Sequence, residues 1–142
     1  VEIDGHSSVC YPGGMKELLA HLTGDYVLQN SWEAEEKVNS NLPALSHAVK
    51  YTAAFLPLTR NPKALVVIGG THFVVDRFRL AKQLVWAKNQ IGVPAKYRYK
   101  FSDSVAGYHK DNPIWLSTWL MIIADNTTHM LINNWALRKF ND

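Results

Sequence analysis

One cysteine, six histidines and twelve carboxylates are the side chains of this chain that could do chemistry. Cys10 lies in VCYPGGMKELLAHL, beside a tyrosine and a Pro-Gly turn. A thiol there can be a nucleophile, half of a disulfide or ordinary packing, and nothing next to it lowers its pKa in an obvious way. Joined by a histidine brought near through folding, it would make a small hydrolase or transferase. His6, His21, His47, His72, His109 and His129 are scattered, with no H-x-x-x-H and no C-x-x-C, so no metal and no cofactor is expected. The chain has no G-x-S-x-G elbow, and Gly69-Gly70 has no P-loop around it. From motifs alone the expectation is a binding protein, not an enzyme.

Two recognition chemistries remain. KYRYKF (96–101) alternates bases with rings, as in sheets that stack RNA bases and contact phosphates. Period-2 alternation puts Tyr97, Tyr99 and Phe101 on one face and Lys96, Arg98 and Lys100 on the other, which equally describes a half-buried strand with charges in water. An RNA-binding sheet is therefore the third reading, and no nucleic acid is expected as partner. Five tryptophans and six tyrosines also suit a sugar site, where ring faces pack on C–H surfaces and polar groups bind hydroxyls.

The elements that would position these residues form one domain, 1–142. The chain is 47% hydrophobic and 19% charged with formal charge +3, which excludes disorder and does not announce nucleic acid or membrane binding. It begins VEIDGHSS without methionine or a leader-like apolar stretch, as expected of a mature or excised piece. The apolar run 114–124 is too short to span a bilayer and contains Ser117 and Thr118. Asn126-Thr127-Thr128 is a glycosylation sequon if the chain is secreted.

Met15, Leu18, Leu19 and Leu22 have helical spacing, and Ser31 can cap a short acidic helix. Residues 45–55 fit either a helix or an irregular strand pair. ALVVIGGTHFVVDRF reads as a buried strand interrupted at Gly69-Gly70, followed by an amphipathic helix over 76–89. KYRYKF and the segments 114–123 and 128–138 read as further strands, the last two divided by a turn at Ala124-Asp125-Asn126. The expected class is mainly β to α+β, an antiparallel β-sandwich with short helices.

Several stretches, in order, resemble the receptor-binding head of influenza-type haemagglutinins. Cys10-Tyr11-Pro12-Gly13 with ELLAHL is similar to that family's C-Y-P-G turn and helix. ALVVIGGTHF is similar to its V-L-V-x-x-G-x-H strand, and TWLMIIADNTTHMLINNWAL to a strand, turn and strand. The resemblance implies a viral attachment domain on the virion surface, outside the cell, binding a sialylated host glycan in a shallow pocket without chemistry. The intact protein would be a homo-oligomer, held at a membrane only through other parts. Tyr11 and His72 would form the pocket floor, with Tyr51 and Phe55 near the place of a floor tryptophan. Asp76 and Leu84 would face the ligand from the 76–88 helix, and Gly107 and Tyr108 from the 102–111 loop. The family's cysteine is disulfide-bonded within the head, and this chain has no second cysteine.

Overall fold

The computed structural model describes residues 13–140; Cys10 and Tyr11 lie outside the described residues. The fold is a bundle of helices, not a β-sandwich. Helix α1 (Gly13–Leu22) passes directly into a π turn, Thr23–Val27. Next come α2 (Ser31–Glu36), α3 (Asn41–Ala54), α4 (Pro62–Arg77) and α5 (Leu80–Lys88). Two short 3-10 turns and a small hairpin, β1 (Ser104–Val105) with β2 (Tyr108–His109), lead into α6 (Ile114–Phe140). At 27 residues, α6 is about 40 Å long and spans the bundle.

Local chemistry explains where the helices begin. Asn30 starts α2 with a capping box: its side chain accepts from the Glu33 amide at 2.9 Å, and the Glu33 carboxylate accepts from the Asn30 amide at 3.1 Å. Asn30, not Ser31, is thus the cap. Asn61 accepts from the Lys63 amide at 2.9 Å, and Pro62 opens α4 where its missing N–H costs nothing.

The expected strands fail for identifiable reasons. ALVVIGGTHFVVDRF is α4, and its buried positions, Ala64, Ile68, His72, Val75 and Asp76, are spaced as one helical face. That face carries two of the segment's polar residues, while Val66 and Val74 point outward, so hydrophobicity alone conceals the period. The expected helix over 76–89 is split: α4 ends at Arg77 and α5 begins at Leu80. KYRYKF forms turns and extended backbone outside any sheet. The segments 114–123 and 128–138 are one continuous helix with no turn at 124–126; no glycine or proline interrupts 114–140. Its buried residues include Ser117, His129 and Asn133, while Trp115, Trp119, Leu131 and Trp135 are exposed.

The core lies between α1, α3, α4 and α6, where Tyr51, Phe55, Ile68, Ala136 and Leu137 pack together with Ala20. Glycine makes two close approaches possible. A Cβ on Gly24 would lie 2.6 Å from the Tyr51 ring, and one on Gly69 would collide with the Thr52 hydroxyl. The first seats the π turn on α3, and the second draws α3 and α4 together. No helix among the described residues is long and apolar enough to cross a membrane.

Candidate metal centre

The helices that pack around Tyr51 converge their polar side chains at one point. His47 comes from α3, His72 and Asp76 from α4, His129 and Asp125 from α6, and His21 from α1. Asp25 comes from the π turn, an irregularity that often marks functional sites. All four of these histidines are buried, as are Asp25 and Asp76.

Two imidazole nitrogens and a carboxylate oxygen form a tight triangle, with a second carboxylate close to both nitrogens. His47 Nε2 and His72 Nε2 are 2.9 Å apart. Asp25 Oδ1 lies 3.2 Å from the first and 3.3 Å from the second. Asp76 Oδ2 lies 3.4 and 3.3 Å from the same two nitrogens. A tetrahedron of ligands with bonds of about 2.0–2.1 Å to zinc has edges of about 3.3–3.4 Å. The triangle of Asp25 Oδ1, His47 Nε2 and His72 Nε2 matches one face of that shape with slight compression, while Asp76 Oδ2 lies outside this donor group and accepts from Lys37 at 2.7 Å. Despite the short distances, Asp25 Oδ1 makes no hydrogen bond of acceptable geometry, and the buried His47 Nδ1 has no partner either. A buried carboxylate oxygen without a hydrogen bond, facing two imidazole nitrogens, is a donor arrangement that a cation would satisfy.

A second layer holds these ligands. His129 Nε2 is 3.2 Å from Asp76 Oδ1, and His129 Nδ1 is 3.3 Å from His72 Nδ1. With His72 Nε2 reserved for an ion, one tautomer assignment satisfies both contacts: His72 Nδ1–H donates to His129, and His129 Nε2–H donates to Asp76. His21 Nε2 faces Asp25 Oδ2 at 3.5 Å and Asn126 Oδ1 at 3.1 Å, while His21 Nδ1 meets the Tyr51 hydroxyl at 2.7 Å. Asn133 donates to the same hydroxyl at 2.6 Å. Such outer partners orient metal ligands and fix their tautomers. Tyr51 also stacks on His72 with ring centroids 3.6 Å apart, and Phe55 packs behind it at 5.3 Å.

The electrostatics ask for positive charge. Burial pushes the Asp76 pKa upward, but His129, His47 and His72 outweigh it and hold it well below the usual carboxylate value. Asp25 is likewise lowered, with burial opposed by His47 and His72. Burial lowers His72 to about 4 despite Asp76, and it lowers His21 despite Asp25. His47 and His129 are raised instead, because the carboxylates around each exceed its desolvation. Burial, with Asp76 and Asp25 nearby, lifts Asp125 to about 6 against the pull of His129. Lys37 donates to Asp76 Oδ2 at 2.7 Å. Two buried carboxylates are thus held ionised by whatever cations can reach them.

Residues 15–138 match the family model described as protein of unknown function, DUF3307. The chain belongs to that family. No curated protein and no solved structure matches it. The haemagglutinin resemblance is overturned by this match and by the helical bundle; ALVVIGGTHF and TWLMIIADNTTHMLINNWAL, matched to strands of that head, lie in α4 and α6.

Of the residues expected to line a glycan pocket, four come together here: His72, Asp76, Tyr51 and Phe55. Tyr11 lies outside the described residues. Leu84 is exposed on α5, and Gly107 and Tyr108 belong to the hairpin, Gly107 close against Val85. Asn126 lies within α6, its side chain bonded to His21 and Tyr26. His21, Asp25, His47, Asp125 and His129 are not among the residues expected from sequence. Their signal is a repeated spacing: His21 with Asp25, His72 with Asp76, and Asp125 with His129 are each four residues apart. On a helix that spacing stacks two ligand groups on one face, but it is legible only once the segments are read as helices.

Proposed function

We propose that the protein is a metal-dependent hydrolase whose bundle core binds one divalent ion through Asp25, His47 and His72. The observation that carries this reading is the triangle of two imidazole nitrogens and one carboxylate oxygen, all buried, with the oxygen lacking a hydrogen bond. A His/Asp donor set suits zinc best at this geometry, and such nitrogen and oxygen ligands are typical of ions that activate water. A cavity of about 570 Å³ reaches the cluster at Asp76 and Asp125, giving water and a substrate access to it. The ion would supply a bound water acidic enough to attack near neutral pH. His21 faces the outer oxygen of Asp25, which leaves Oδ1 for the ion, while Asp76, bonded by His129 and Lys37, supplies negative charge beside the ligands.

A second reading is a structural ion that pins the π turn, α3 and α4 together. It is favoured by the burial of Asp25, His47 and His72, none of which lines the neighbouring cavity, because a catalytic ion needs an open position. The glycan-attachment reading rested on aromatic composition and on the haemagglutinin resemblance, which the family match overturns; the sheet required for RNA binding does not form around 96–101.

The test is metal analysis of the purified protein, followed by hydrolysis of p-nitrophenyl acetate, phosphate and bis-phosphate before and after chelation. About one zinc per chain, with chelator-sensitive turnover restored by metal, supports the hydrolase. An ion that stabilises the fold without turnover favours the structural reading. No stoichiometric ion in protein that is folded removes both.

A further inference from the structure

The cavity beside the cluster has a charge pattern that the ligand set does not use. Its wall includes Lys37, Asp76, Arg79, Lys82 and Asp125. Lys37 is committed to Asp76 at 2.7 Å. Arg79 and Lys82 have no carboxylate partner among the described residues. Lys82 instead lies over the Phe101 ring, its nitrogen 4.6 Å from the centroid. Two unpaired cations three residues apart on one wall repel each other, a cost that an anion between them removes. Burial first, and Arg79 second, lower the pKa of Lys82.

Arg79 is held in an unusual way. It occupies the left-handed region, φ 53° and ψ 42°, at the corner between α4 and α5. Glycine is the default residue for that conformation, and a side chain there costs about 1 kcal/mol. The arginine stands at this corner three residues after Asp76 and lines the cavity.

We infer that the substrate carries a phosphate group, bound by Arg79 and Lys82 in the cavity that opens onto Asp76 and Asp125. This rests on the hydrolase reading and names its substrate class, a phosphate ester. In the reaction the oxygen of a water molecule forms a bond to phosphorus and the ester P–O bond breaks. The leaving oxygen keeps the bonding electron pair and takes a proton from the water, giving an alcohol and inorganic phosphate. Guanidinium and ammonium groups neutralise the non-bridging oxygens as charge shifts, and the guanidinium fork suits two of them at once. A cavity of about 570 Å³ has room for an organic group beyond the phosphate.

The probe is inorganic phosphate, titrated calorimetrically into zinc-loaded protein whose metal content is measured first. Wild type is compared with Arg79→Gln, Lys82→Gln and the double variant, each checked for helicity and zinc. The expected result is phosphate binding by wild type, weakened about tenfold by each single change and about a hundredfold by the double, with zinc retained. Equal affinity in all four proteins overturns the inference, since the anion then sits on zinc alone. Absence of phosphate binding by zinc-loaded wild type overturns it as well, while leaving the metal reading in place. If Arg79→Gln unfolds at its strained corner, Lys82→Gln decides alone. A wild type that takes up no zinc sinks the hydrolase reading itself, and that outcome is seen before any phosphate is added.

Discussion

The same bundle is held together in two different ways along its length. At one end Phe55, Ile68, Ala136 and Leu137 make an apolar core of the ordinary kind. A turn of helix away, around Tyr51, the space is filled by four imidazoles and two carboxylates. The apolar end gains from surface removed from water and depends on shape. The polar centre gains nothing from burial itself; each ionised group there costs several kcal/mol unless opposite charge meets it. Stability at one end should therefore be indifferent to metal and pH, and at the other should depend on both.

The largest effect should come from the apolar end. Phe55→Ala removes a fully buried ring and should cost about 3–5 kcal/mol in urea unfolding. The loss should be the same with zinc and with chelator, and a metal-dependent loss would show that the two regions are not separable. Metal removal tests the centre from the other side. At zinc a thousandfold above its dissociation constant, linkage predicts about 4 kcal/mol of added stability, absent in His72→Ala. Calorimetric melting with and without chelator measures it.

A smaller effect isolates the outer layer. Tyr51→Phe leaves the buried His21 Nδ1 and Asn133 amide without their shared partner, at a cost of about 1–3 kcal/mol. Zinc should still bind, at reduced affinity, because His21 is then less well held against Asp25. Unchanged zinc affinity in that variant would restrict Tyr51 to packing.

The finest distinction is pH. In metal-free protein His47 and His129 have folded pKa values above 6.5. Their contribution is fully present below the unfolded value and is lost as pH rises through the folded ones. His21 and His72 lie below 6.5, so they act oppositely and stability falls as pH drops beneath 6.5. The metal-free melting temperature should thus peak near pH 6.5 and decline on the alkaline side. Zinc should abolish the alkaline decline, since it takes the place of the displaced protons. A flat profile without metal would contradict the charge balance described for the cluster.

Two short helices were legible from local pattern, although in α1 Met15 and Leu19 are exposed and Ala20 and His21 are the buried residues. The apolar spacing of Met15 to Leu22 predicts α1, and the acidic stretch after Asn30 predicts α2, shifted by one residue at its cap. For α4 and α6 the pattern points the wrong way. The buried faces of both carry His72, Asp76, His129 and Asn133, whereas Val66, Trp119 and Trp135 face outward. An apolar, β-branched run whose polar residues lie inside reads as strand, because the usual sign of burial is inverted around a polar site.

The sequence by itself determined the local parts: the capping of α2 and α4, the unbroken α6 without glycine or proline, and three His/Asp pairs four residues apart. Those are short-range matters of backbone hydrogen bonding and helical period. Only the tertiary structure decided that these pairs face one another. His47 from α3 and His72 from α4 are each brought within 3.4 Å of Asp25 from the π turn and of Asp76 by close packing at Gly24 and Gly69. A donor set for an ion depends on distances between atoms far apart in the chain, and helix packing sets those distances.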